Sequence, residues 1–222
     1  AVFETAELAF SCAAFFGCCW ALTRPYWGSA LAGFACGASI LCSNLLVGAT
    51  VLVGCLMSHI LVRGIGDTSR KIFTTIAVAF VTFGLWPLVS YLLAGVVAGD
   101  YFNLWAQRQI QIVGFFDPQE ILWFIKHFIW YLCPVWPFAF WAIWMWRKNL
   151  TVTHIALPLS FCFAWFVGFM LSSDVAAETL LSVTIAPLCV LATFGLMACN
   201  RSTKSMLELF SVAVFTLALA GV

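Results

Sequence analysis

The interval GDYFNLWAQRQIQIVGFFDPQE, residues 99–120, gathers the residue types that a surface needs to hold a polar, charged or ring-shaped ligand. Arg108 offers a planar cation suited to carboxylate or phosphate oxygens. Tyr101 and Trp105 offer flat apolar faces with one polar edge, and Asn103, Gln107 and Gln111 offer amide donors and acceptors. Further along, Lys126 and His127 lie about a turn and a half inside the next apolar run. An ionisable side chain at that depth is a functional suspect, although a lysine there also has the plainer role of reaching back to the interface.

The remaining candidate chemistry is thin. His59 and His154 read as packing or interfacial residues, and the three histidines fall at different depths, so they do not share a metal. Asp174 and Glu178, in SSDVAAE, are a like-charged pair suited to a solvated turn or to a cation. The ten cysteines lie in or at the ends of apolar runs without CxxC or Cys/His ligand spacing, and read as small apolar packers. Neither a Walker A loop nor a G-x-G-x-x-G motif is present, and no Lys/Arg run tracks nucleic-acid phosphates.

The elements that must position these residues follow from composition. With 64% hydrophobic and only 9% charged residues, the chain reads as an all-α, polytopic membrane protein forming a single domain over residues 1–222. Apolar runs occupy residues 5–22, 27–61, 73–98, 121–146, 153–171, 179–199 and 206–222. The second run, as one helix at about 1.5 Å per residue, would far exceed a hydrocarbon core of about 30 Å. A break at Cys42 to Asn44 divides it, giving about eight spans.

Charge supports that division, because Lys and Arg are retained on the cytoplasmic side. With a turn at Ser43 and Asn44, Arg24, Arg63, Arg70, Lys71, Arg147, Lys148, Arg201 and Lys204 fall on one side. Glu4, Glu7, Asp100, Asp117, Glu120, Asp174 and Glu178 fall on the other, with both chain ends outside. Residues 99–120 become the long external loop. Asn103, Gln107 and Gln111 recur at i, i+4, i+8 while Phe102, Trp105, Ile112 and Phe116 take another arc, the pattern of an interfacial helix. Asp117, Pro118 and Glu120 form a start signal for the next helix, in which Pro134 and Pro137 predict a kink.

From about residue 27 onward the chain resembles the later membrane half of bacterial C-type glycosyltransferases, in the branch of lipid A aminoarabinose transferases and protein mannosyltransferases. The resemblance is carried by GSALAGFACGASILCSNLLVGATVL, WPLVSYLLAGVVAGDYFNLWAQRQIQIVGF, DPQEILWFIKHFIWYLCPVWPFAFWAIWMWRKN, HIALPLSF and LLSVTIAPLCVLATFGL. It implies an inner-membrane enzyme that moves a sugar from a polyprenyl-phosphate donor to a lipid A-type or protein acceptor on the outer face. The essential acid of such enzymes sits in a first external loop, which would precede Ala1. On this reading the chain is a fragment without its own catalytic acid, lacking also an outer domain after its last residue, and a divalent metal in the full-length enzyme stays open. The resemblance casts residues 99–120 as the lid of the donor cavity. Tyr101 and Trp105 would line the sugar wall, and Arg108, Gln107, Lys126 and His127 would hold the phosphate and sugar.

Two departures stand out. Many members carry Lys-Gly where this chain has Ser43 and Asn44, and an arginine where it has Gln111, so Arg108 would act from one turn away. The residues alone also leave open a transporter or flippase for a lipid-linked sugar, or a non-catalytic membrane subunit.

Overall fold

The computed structural model describes residues 2–62, 66–112, 126–172, 180–181 and 183–220, and the chain is all-α. Its helices are α1 (Val2–Trp20), α2 (Pro25–Cys42), α3 (Leu45–Leu61), α4 (Thr68–Ala94), α5 (Val96–Ile112), α6 (Val135–Met145), α7 (Thr153–Met170), α8 (Ile185–Ala198) and α9 (Arg201–Ala220).

The long second apolar run is two helices. Its break has a local cause: Asn44 adopts an extended conformation and its side chain accepts from Val47 N at 2.8 Å, capping α3. At the other boundary the Ser43 N–H donates to Ser39 O and closes α2. The prolines act more strongly than a kink. Residues 126–131 are helical, a turn covers 132–134, and α6 restarts at Val135 with Pro134 as its N-cap, so the expected single span over 121–146 is interrupted. Pro134 lacks the N–H that would continue the first helix, and Pro137 is accommodated in the first turn of the second.

α2 is the centre of the bundle, packed chiefly on α1 and α4 and then on α3, while α3 packs on α7 and α6 on α8. Small residues set the approach. A methyl group at Gly17 would stand 2.7 Å from Ala32 N, and one at Gly28 would meet the backbone of Ala21, which makes α1 and α2 antiparallel. Gly33 faces Thr75 and Gly37 lies where a methyl would be 2.7 Å from Ala79 O, which makes α2 and α4 parallel. Cys18, Cys36 and Cys55 are buried where these helices meet, with the Cys36 and Cys55 sulfurs 3.7 Å apart. All ten cysteines are free, as the packing reading expects.

Among the described residues two helices, α4 and α7, are long and apolar enough to cross a membrane, and α1 from Thr5, α3, α6 and α8 are shorter apolar helices. α7 is more than half buried, whereas α4 is exposed over most of its surface: Phe73 is 73% and Leu93 83% exposed, and Phe80, Leu85 and Leu92 are exposed as well. An apolar surface of that extent marks a site of association with lipid or protein.

Replacing Gly28 by Val should force α1 off α2 and cost about 1–3 kcal/mol, as overpacking does. The thermal unfolding midpoint in detergent should fall by several degrees; an unchanged midpoint would contradict the close approach.

Candidate functional site

Gly95, at φ +55°, ends α4 by donating its N–H to Tyr91 O at 3.0 Å, and the chain turns at once into α5. The left-handed conformation suits a residue without Cβ. α5 then lays one side on the ends of α4 and α3: Phe102, Trp105 and Gln109, spaced i, i+3, i+7, are half-buried, while Asn103, Leu104, Gln107 and Arg108 are exposed. The apolar arc predicted through Phe102 and Trp105 is the inward side. Phe116 lies outside the described residues.

Under α5 an aromatic cluster forms. Trp105 sits 5.9 Å from Phe83, and Trp86 is met at 5.6 Å by both Tyr101 and Phe102 at 66° to each ring. Edge-to-face geometry of this kind is favoured by the ring quadrupoles. With Leu41 these rings line a small cavity of about 50 Å³.

Gln109 ties the helix down. Its Oε1 accepts from Leu45 N at 2.7 Å, one of the backbone donors that the start of α3 leaves without a helical partner. The α2–α3 turn is therefore held from within by Asn44 and from outside by α5.

Glu7 belongs to the same end of the molecule. The antiparallel register of α1 on α2 sets it opposite Cys42, whose thiol feels its charge, and it is only 3% exposed. One turn deeper, Ser11 is buried with its hydroxyl donating to Leu8 O. A carboxyl so covered is the strongest acid candidate among the described residues, since ionisable groups are seldom buried without a role. Sequence reasoning grouped it with the external acids; its signal was the spacing Glu7, Ser11, Ala14, Cys18, which falls on one helical side. Gln109, Phe83 and Trp86 also went unnoticed, the last two because they lie inside an apolar run.

The other expected site residues stand apart. Tyr101 and Trp105 join the aromatic cluster, but Gln107 and Arg108 occupy the outer side of α5. Lys126 and His127 are exposed at the start of the helical residues 126–131, and no common partner among the described residues joins Arg108 and Lys126 in one site. Asp117, Pro118, Glu120, Asp174 and Glu178 lie outside the described residues. His154 packs between the rings of Trp146 and Phe194, at 4.7 and 4.8 Å, and His59 bonds Thr75, in keeping with packing roles. Among the described residues no group of three His, Cys, Asp or Glu could hold a metal ion.

A second cavity, about 250 Å³, lies among residues 126–131, α6, α7 and α8, where Phe128, Ile143, Cys162, Trp165 and Leu188 line it with Thr184 as the one hydroxyl. Its chemistry suits hydrocarbon. No protein-family model, curated protein or solved structure matches the chain.

Substituting Gln109 by Leu should remove the tie at Leu45 for about 1 kcal/mol. Amide exchange should speed up at residues 45–47 and stay unchanged in α7; equal protection in both proteins would contradict the tie.

Proposed function

We propose that the chain is the donor-binding membrane half of a bacterial C-type glycosyltransferase, multi-pass in the inner membrane with about eight spans, using a polyprenyl-phosphate sugar and a glycolipid or protein acceptor. The observation that carries the reading is α5: an aromatic, amide-bearing helix that turns back against α4 and the α2–α3 turn, over a small ring-lined cavity. In this account the apolar surface of α4 faces lipid and the prenyl chain of the donor. Its phosphate sits at interface level, where Arg108 is free to meet it with two parallel hydrogen bonds. The sugar enters beneath α5 against Tyr101 and Trp105, and both chain ends lie on the outer side.

Glu7 takes the place of interest for proton chemistry at that end. A transporter for the same lipid-linked sugar would use the same pocket without breaking the phosphate–sugar bond. Recovery of intact donor, rather than glycosylated acceptor and free polyprenyl phosphate, separates that reading from the transferase.

Undecaprenyl phosphate titrated into the protein in phosphatidylcholine nanodiscs should bind saturably. Arg108→Ala should weaken it about tenfold, the loss of one charge-assisted pair. Trp105→Ala in the full-length enzyme should lower transfer more than phosphate binding, because its contact is with the sugar. Absence of saturable binding by the wild type would overturn the proposal.

A further inference from the structure

The opposite end of the bundle carries a covered lysine beside a histidine that the donor site does not use. Lys71, in the first turn of α4, is 2% exposed, and while its backbone N–H donates to Asp67 O at 3.1 Å its side chain makes no hydrogen bond or ion pair among the described residues. Its methylene stem passes beside Gly66, which in turn rests on Pro25. His59 of α3, 4% exposed, lies close enough to feel the Lys71 charge. The His59 Nε2 is 3.2 Å from the Thr75 hydroxyl, and that hydroxyl donates to Ser29 O at 3.3 Å, so its oxygen is left to accept from the imidazole. The Ser29 hydroxyl is fully buried and has no hydrogen-bond partner.

The neighbouring carboxylate is already engaged. Asp67 caps α4 by accepting from Ser69 N at 3.1 Å and pairs with Arg70 at 3.8 Å, and Arg70 also reaches the Tyr26 hydroxyl. Lys71 is thus a mostly covered side chain whose ammonium has no counter-charge among the described residues, beside an imidazole, at the positive end of a 27-residue helix. Each of those three features disfavours a bare cation there and favours an anion. The unpartnered ammonium and the helix start are independent observations with one reading.

We infer that the start of α4, with Lys71 at its centre and His59 and Thr75 beside it, is a binding site for a phosphate group. Phosphate, like other oxyanions, accepts from an ammonium and from helix N–H groups together. It comes either from the headgroup of an anionic phospholipid or from a free phosphate. This site is separate from the donor site at the other end of the bundle and does not depend on the transferase reading.

The test uses the purified chain in a non-phosphate detergent, with inorganic phosphate in one titration and dioleoylphosphatidylglycerol in another. The wild type should gain several degrees in unfolding midpoint with at least one probe; Lys71→Met should lose that gain and Lys71→Arg should keep it. A gain with the lipid alone identifies a headgroup site, and a gain with inorganic phosphate identifies a free-phosphate site. Native mass spectra of the wild type, which need no variant, should show one phosphate-bearing adduct. No gain and no adduct with either probe, or an equal gain in Lys71→Met, would overturn the inference.

Discussion

The close approach of α2 to its neighbours is the constraint on which the rest of the molecule depends. Gly17 and Gly28 bring α1 onto α2 at backbone distance, and Gly33 and Gly37 do the same for α4. Where apolar side chains have apolar surroundings on every side, the hydrophobic effect gives helices little reason to associate, and close van der Waals packing through small residues takes its place. The buried Ala32, Ala35 and Cys36 belong to the same logic, since a larger side chain at any of them would hold the helices apart. A chain with 64% hydrophobic residues can thereby form one specific bundle instead of a loose collection of oily helices.

The two ends of that bundle follow from it. Fixing α2 fixes the Ser43–Asn44 turn, and the turn gives α5 a place to anchor through Gln109. Fixing α1 on α2 buries Glu7 opposite Cys42 at that end. At the other end, the parallel run of α2 beside α4 brings Ser29 to Thr75 and encloses Lys71 with His59. An acid and a cation are thus covered at opposite ends, and neither assignment needs contact between the two.

Much of the fold was legible because apolar runs of helical length have few alternatives. The division at Asn44 was read from run length and charge sides, and the capping side chain supplies its local cause. The helix of this stretch was read from two arcs of residues, and Phe102 and Trp105 of the apolar arc do face inward. The site was less legible. Arg108 drew attention as the cation of a polar stretch, yet spacing alone does not say which side of α5 meets the bundle, and it lies outward. Glu7 and Lys71 looked like ordinary flanking charges, because their burial comes from the register of α1, α2 and α4, which no single helix encodes. Pro134 and Pro137 were read as a kink, but Pro134 has no N–H to continue the first helix, which ends in a turn before a new helix starts at Val135 with Pro137 in its first turn.

The central claim is that a lipid-linked sugar meets this chain under α5, and photocrosslinking tests it most directly. A polyprenyl-phosphate sugar carrying a diazirine on the sugar would be irradiated with the protein in phosphatidylcholine nanodiscs, and the adducts mapped by mass spectrometry. The account predicts adducts concentrated on Tyr101, Trp105 and the Phe83–Trp86 stretch of α4, suppressed by unlabelled donor. Adducts confined to α6, α7 and α8, or unaffected by competing donor, would contradict it.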